Sequence, residues 1–157
     1  MISVVIPVFN NVDYLAAQLE AVTRQEIDGE LEIIVADNGS TDGSADVARR
    51  WAAIDARVRL IDASERRGPG AARNIAIRLA AGAVVAFCDG DDVVRPGWLR
   101  SLVAALDNSD VAVGALDVCS LNGRPPAPPL DPWPRQFGYL PAGLGANMAV
   151  RRPAFES

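Results

Sequence analysis

Ala83-Val84-Val85-Ala86-Phe87-Cys88-Asp89-Gly90-Asp91-Asp92 is an apolar run that ends abruptly in carboxylates. An apolar stretch without polar alternation describes a strand buried on both faces, the kind that builds parallel sheets covered by helices. The same signature recurs at residues 2–7, where a β-branched run closes on Pro7, at 31–36, and in shorter form at 58–61. Between these runs the spacing becomes helical. Leu15, Leu19 and Val22 share one face of a helix expected over 13–25, and Ser44 is the expected N-cap of a helix through Trp51, with Asp46 in its first turn. Pro69-Gly70 opens an alanine-rich helix over 71–81, which Gly82 ends as its C′ residue, and Pro96 starts a helix carrying Trp98, Leu99, Leu102, Val103 and Leu106. A fifth strand is expected over 111–118. This alternation predicts right-handed βαβ units and hence an α/β fold with a mostly parallel sheet sandwiched by helices.

Ligands of such sheets bind at the carboxyl ends of the strands, and the polar residues gather there. Asn10 and Asn11 follow the first strand, Asp37 the second, Arg66 and Arg67 the third, and Asp89, Asp91 and Asp92 the fourth. Carboxylates this crowded repel one another and persist as anions only when solvated or neutralised by a hard cation. Mg²⁺ or Mn²⁺ binds carboxylate and phosphate oxygens together, so a nucleoside diphosphate is the natural third party. The ordinary alternative is a solvated acidic turn before the helix at Pro96. Asp37 can accept a hydrogen bond from a base N–H or a ribose hydroxyl, although Asp37-Asn38-Gly39-Ser40-Thr41-Asp42 also reads as a simple turn. Arg66, Arg67 and Arg73 offer guanidinium groups to phosphate. Arg73 opens a helix against its dipole, so a partner is expected, either Asp37 or a member of the acidic cluster.

Composition narrows the chemistry. The chain of 157 residues has no histidine, and all 15 of its basic residues are arginine, so a His base, a Ser-His-Asp triad, a P-loop lysine and a Schiff base are excluded. Acid–base and metal work falls to carboxylates. The net charge of −5 disfavours a nucleic-acid partner. Cys88 and Cys119 are far apart without CxxC spacing and are expected to be buried reduced thiols. No stretch has the signature of a signal peptide or a membrane span, so a cytoplasmic protein is expected, or a cytoplasmic piece of a longer membrane-associated one. The arginine and alanine bias matches high-GC bacterial coding.

Residues 1–121 form the expected βαβ core. Asn122 to Pro141 holds seven of the eleven prolines, so 122–145 is expected to be a loop or lid, and 146–157 begins a further region with a short strand near 145–150.

Four motifs carry a resemblance. Val4-Val5-Ile6-Pro7-Val8-Phe9-Asn10, Ile33-Ile34-Val35-Ala36-Asp37-Asn38-Gly39-Ser40-Thr41-Asp42, Gly68-Pro69-Gly70-Ala71-Ala72-Arg73-Asn74 and Phe87-Cys88-Asp89-Gly90-Asp91-Asp92 stand in an order and at spacings that resemble family 2 glycosyltransferases of the GT-A fold. Gly145 to Arg152 is similar to that family's acceptor-side segment. The resemblance implies transfer of a sugar from a nucleoside-diphosphate sugar, UDP-sugars being favoured, to a hydroxyl of a glycan, lipid or protein, with inversion. It implies that Pro7, Val8 and Asn10 line the donor pocket, that Asp37 contacts the nucleoside, and that Asp89 faces the ribose. It further implies that Asp91, with Asp89, holds Mg²⁺ or Mn²⁺ in the DxD pattern, and that Arg67 and Arg73 serve the donor. The family's general base lies downstream of the Asn147 to Arg152 type of segment; only Glu156 is acidic after Asp131, so the base is expected beyond Ser157 and the fold to be C-terminally truncated. The alternative is a non-catalytic nucleotide-sugar-binding module. A dinucleotide-binding Rossmann domain is excluded because no Gly-x-Gly-x-x-Gly turn follows the first strand.

Overall fold

The computed structural model describes residues 1–115, 117, 135–136, 140–141 and 146–155. Strands and helices alternate as β1 (Ile2–Val8), α1 (Leu15–Thr23), β2 (Leu31–Asp37), α2 (Ser44–Ile54), β3 (Val58–Asp62), α3 (Pro69–Leu79), β4 (Val84–Cys88), α4 (Trp98–Ala105) and β5 (Val111–Val113). Two short strands, β6 (Arg135–Gln136) and β7 (Leu140–Pro141), pair with each other, and β8 (Asn147–Arg151) rejoins the main sheet. That sheet runs β3-β2-β1-β4-β8-β5. The first four positions are parallel; β8 is antiparallel to both β4 and β5.

Side-chain alternation divides the core between the two faces. Val4, Ile6 and Val8 of β1 pack with Leu15, Leu19 and Val22 of α1, Val47 and Ala48 of α2, and Leu99 and Leu102 of α4. Val5 turns the other way and packs with Ile34, Val85 and Phe87 against Ala72 and Ala76 of α3. The small alanine side chains bring α3 close to the sheet. Gly82 is tighter still, since a Cβ there would lie 2.5 Å from the Ser3 amide nitrogen.

Several boundaries differ from expectation for local reasons. The α1 helix is shorter than 13–25, running from Leu15 to Thr23 between Tyr14 and Arg24 as its caps. Gly43, with φ of 98°, caps α2 in place of Ser44, whose hydroxyl is already engaged with Asn11 N–H and Asp42. α3 ends at Leu79 with Ala80 extended, so Gly82 is not its C′ residue; Arg152 instead donates to the carbonyls of Ala80 and Gly82. α4 starts at Trp98, after Gly97 at φ of 77°, and not at Pro96. β5 covers Val111–Val113 of the expected 111–118, of which residues 116 and 118 lie outside the described residues; Gly114 leaves room for Asn147, since a Cβ there would lie 2.3 Å from Asn147 Oδ1. Cys119, Glu156, Ser157 and almost all of the expected proline-rich lid lie outside the described residues.

Candidate functional site

The parallel register sets the site. Val8 at the end of β1 pairs with Asp37 at the end of β2, while β4 flanks β1 on the other side with Val5 opposite Phe87. Asp37 and Asp89 therefore stand on either side of the β1 terminus, two strand spacings or roughly 10 Å apart. Gly90 closes the gap to β1. A Cβ on it would lie 3.1 Å from Val8 Cγ2 and 3.3 Å from the Pro7 carbonyl, so the backbone packs where a side chain would not fit easily.

On the β1/β2 side, short polar side chains fasten the loops to one another. Asn10 sits in the left-handed region at φ of 55°, where asparagine is among the residues best tolerated. Its N–H donates to Ser40 Oγ at 3.0 Å, and its Oδ1 accepts from Thr41 N–H at 2.8 Å. Asp37 Oδ1 accepts from Ser40 N–H at 3.2 Å, and among the described residues its other oxygen has no hydrogen-bond donor. Asn38 is buried and reaches the next loop: Nδ2 donates to the carbonyls of Ala63 (2.5 Å) and Arg66 (2.8 Å), and Oδ1 accepts from Gly68 N–H at 2.7 Å. Asp42 ties the same web to β1's outgoing loop through Val12 N–H and Ser44. Burial alone would raise its pKa, but the hydrogen bonds from the Ser44 hydroxyl and the Val12 and Ser44 amides outweigh this and hold its carboxyl below the usual carboxylate range.

The β4 side carries the charge. Arg73, on the sheet-facing side of α3, forms an ion pair with Asp89 Oδ1, which answers the expected choice between Asp37 and the acidic cluster. Asp89 Oδ2 and both oxygens of Asp91 accept no hydrogen bond among the described residues, and Asp91 is exposed. Asp92 is half-buried; burial, then the charges of Asp91 and Asp89, push its carboxyl upward. The same strand end buries Cys88, a free thiol driven far above its ordinary range by burial and by Asp89 and Asp92. No group of three or more His, Cys, Asp or Glu side chains among the described residues is arranged to cage an ion. Hard carboxylate oxygens left open at a loop suit an ion that keeps most of its coordination for phosphate and water, as Mg²⁺ and Mn²⁺ do.

Other expected residues are placed differently. Pro7 and Val8 are buried within β1, Val8 in the core, so what they offer the open side is backbone. Arg67 is exposed, with its guanidinium 5.3 Å from the centre of the Phe9 ring. A cleft of about 560 Å³ lies beyond it, lined by Arg66, Arg67, Asn74 and Arg78. Among the described residues 146–152, Asn147 reaches the carboxyl end of β4, opposite Cys88; Arg151 and Arg152 lie at the other end and cap carbonyls of Leu106, Ala80 and Gly82.

Three buried amides escaped the sequence reading. Gln18 spans the acidic loop, Gln25 donates to Arg95 O and accepts from Leu99 N–H, and Asn147 joins Trp98 Nε1 to Ala115 O. Their only sequence signal is a carboxamide inside an otherwise apolar pattern.

The Glycosyl transferase family 2 model matches residues 3–154. Succinoglycan biosynthesis protein ExoO of Rhizobium meliloti is 39% identical over 126 residues, covering 78% of this chain and 35% of that protein. The chain thus spans about a third of that relative's length. Among solved structures, the mannosyltransferase PcManGT from Pyrobaculum calidifontis, in complex with GDP-Man and Mn²⁺, superposes with a TM-score of 0.76 at 24% identity, covering 99% of this chain and 45% of that one. Glucosyl-3-phosphoglycerate synthase from Mycobacterium tuberculosis, in complex with Mn²⁺, UDP and phosphoglyceric acid, gives 0.71 at 22%, covering 98% and 56%. These likenesses establish the fold as GT-A.

Proposed function

The chain belongs to glycosyl transferase family 2, and from that premise we propose that residues 1–155 form the donor-binding part of a metal-dependent, inverting glycosyltransferase that takes a nucleoside-diphosphate sugar. One observation carries this reading: Asp37 and the 89–92 loop flank a single strand end, with unpaired carboxylate oxygens on both sides. The two relatives of known structure that bind GDP-Man or UDP together with Mn²⁺ support it.

In this reading Asp37 accepts a hydrogen bond from the nucleoside through its free oxygen. Asp91 and the free oxygen of Asp89 would hold Mn²⁺ or Mg²⁺, which supplies Lewis-acid stabilisation of the diphosphate leaving group. Arg73 fixes Asp89 in place and lowers the repulsion among three neighbouring carboxylates. Arg67 stands on the nucleoside side, where a guanidinium can meet phosphate. The reaction is a direct displacement at the anomeric carbon, with a carboxylate taking the acceptor's proton. The acceptor is a hydroxyl compound.

Titration calorimetry with UDP and with GDP, each with and without Mn²⁺, tests the donor site. Binding of at least one nucleotide that strengthens with Mn²⁺ is expected. Absence of binding by both, with and without the ion, overturns the reading.

A further inference from the structure

The loop that carries Asp91 and Asp92 has little structure of its own. Between Asp89 and Val94 its one internal backbone hydrogen bond is a long one, from Asp92 N–H to the Asp89 carbonyl at 3.4 Å. Neighbouring carboxylates push such a segment apart. Besides the Arg73–Asp89 ion pair, one side chain from another element bonds the backbone at both ends of the loop: Gln18 of α1 donates from Nε2 to the Asp89 carbonyl at 2.8 Å, and its Oε1 accepts from Val94 N–H at 3.0 Å.

Gln18 is fully buried in the helix face that otherwise presents Leu15, Leu19 and Val22. A leucine would serve packing at least as well there, since a buried carboxamide is tolerated only when hydrogen-bonded. Its donor and acceptor are held by one planar group, so the distance between Asp89 O and Val94 N is fixed by covalent geometry rather than by the loop. Gln25, seven residues later, does the same for the following segment at Arg95 O and Leu99 N–H. Thus α1 and the residue just past its C-terminus measure out the stretch from β4 to α4.

We propose that Gln18 is a positioning residue for the acidic loop, setting the spacing at which Asp89 and Asp91 face a divalent cation on the donor diphosphate. The proposal rests on the donor-site reading above for its ligand, and on the two hydrogen bonds alone for its effect on the loop.

Two variants separate these parts. Gln18→Met keeps volume and removes both hydrogen bonds; Gln18→Asn keeps a carboxamide in α1 that is one methylene too short to span both ends. The first readout is amide hydrogen exchange at Val94 and Asp92, which needs no ligand. Exchange at least tenfold faster than in the wild type is expected in whichever variant is folded, and wild-type exchange in Gln18→Asn overturns the proposal. The second is Mn²⁺ affinity, followed by electron paramagnetic resonance in the presence of UDP or GDP, with nucleotide affinity measured separately without metal. A fall of about tenfold in Mn²⁺ affinity with unchanged metal-free nucleotide affinity is expected, at the lower end of what lost outer-sphere support costs a metal site. Mn²⁺ affinity within twofold of wild type in a folded variant shows Gln18 to be a stability residue only and overturns the proposal. A wild type that binds neither UDP nor GDP defeats the donor-site reading instead, and the exchange result then still decides whether Gln18 holds the loop.

Discussion

The two loops that flank the end of β1 are held by opposite strategies. On the β2 side, Asn10, Asn38, Ser40, Asp42 and Ser44 bond to backbone groups of their own and the two adjoining loops, so the polar groups that shape the rim are consumed within it. On the β4 side the loop's own carboxylates take almost no part in holding it; Gln18 does so from α1 and Arg73 from α3, while Gln25, just past the end of α1, holds the segment that follows. The first arrangement gives a rigid rim with one free oxygen on Asp37. The second leaves Asp91 open to solvent in a frame made elsewhere. A site that binds a neutral nucleoside at one end and an ion with a diphosphate at the other needs this division, because hydrogen-bonding groups used for scaffolding are not available to a ligand.

Asp91→Ala attacks that division most directly. The side chain makes no hydrogen bond among the described residues and is exposed, so the fold should keep its thermal midpoint to within a degree or two. Mn²⁺-dependent nucleotide affinity, by contrast, should fall by more than about 100-fold, beyond the range typical of residues that only support a metal ligand. Titration calorimetry at fixed nucleotide with increasing Mn²⁺ reads the affinity, and a thermal melt reads the midpoint. A large loss of stability with retained metal response would mean that the loop's carboxylates scaffold it after all and that the two sides do not differ.

Asn38→Ala is the counterpart on the scaffolded side. It strands the carbonyls of Ala63 and Arg66 and the N–H of Gly68, and at roughly 1 kcal/mol net for each hydrogen bond the cost is about 2–4 kcal/mol. Urea unfolding checks this through a lowered midpoint with little change in slope. Nucleotide binding should weaken equally with and without Mn²⁺, because the 63–68 loop is displaced while the 89–94 loop is not. A midpoint equal to wild type would show that water replaces the side chain and that the rim is less rigid than its hydrogen bonds imply.

The contrast also explains what could be read from the residues in advance. Buried strands announce themselves through runs such as Val84-Val85-Ala86-Phe87-Cys88, and strand ends gather the polar residues, so the sheet, the acidic loop and a partner for Arg73 were all foreseeable. The insertion of β8 between β4 and β5 was not, because antiparallel pairing of Asn147 with Cys88 depends on contacts across about sixty residues of chain and leaves no local pattern. The buried amides were hidden for a different reason. In sequence, Gln18 has the composition of a solvated helix position, and only the packing of α1 against the loop after β4 gives its two polar ends something to bond. Capping was misread where a side chain had a competing partner: Ser44 stands at the start of α2, but its hydroxyl is taken by Asn11 N–H and Asp42, so Gly43 caps the helix.

Asp42 offers the finest test of the scaffolded side, through pH. Its carboxyl is held below the usual range in the folded chain because its hydrogen bonds outweigh the effect of burial. The unfolded chain returns it to about 3.9. A group with a depressed folded pKa contributes stability that is fully present above the unfolded value and disappears as pH falls through the folded one. Asp42→Asn removes the charge and turns an N–H toward a donor at one of the two positions now occupied by Val12 N–H and Ser44. Wild type should therefore be the more stable protein at neutral pH by a small shift in urea midpoint, and the gap should close as pH falls through and below the ordinary carboxylate range. A gap that stays constant over that range would mean that the fastening acts through shape and not through charge, and the rim would then resemble the amide-held loop across β1 more than its carboxylates suggest.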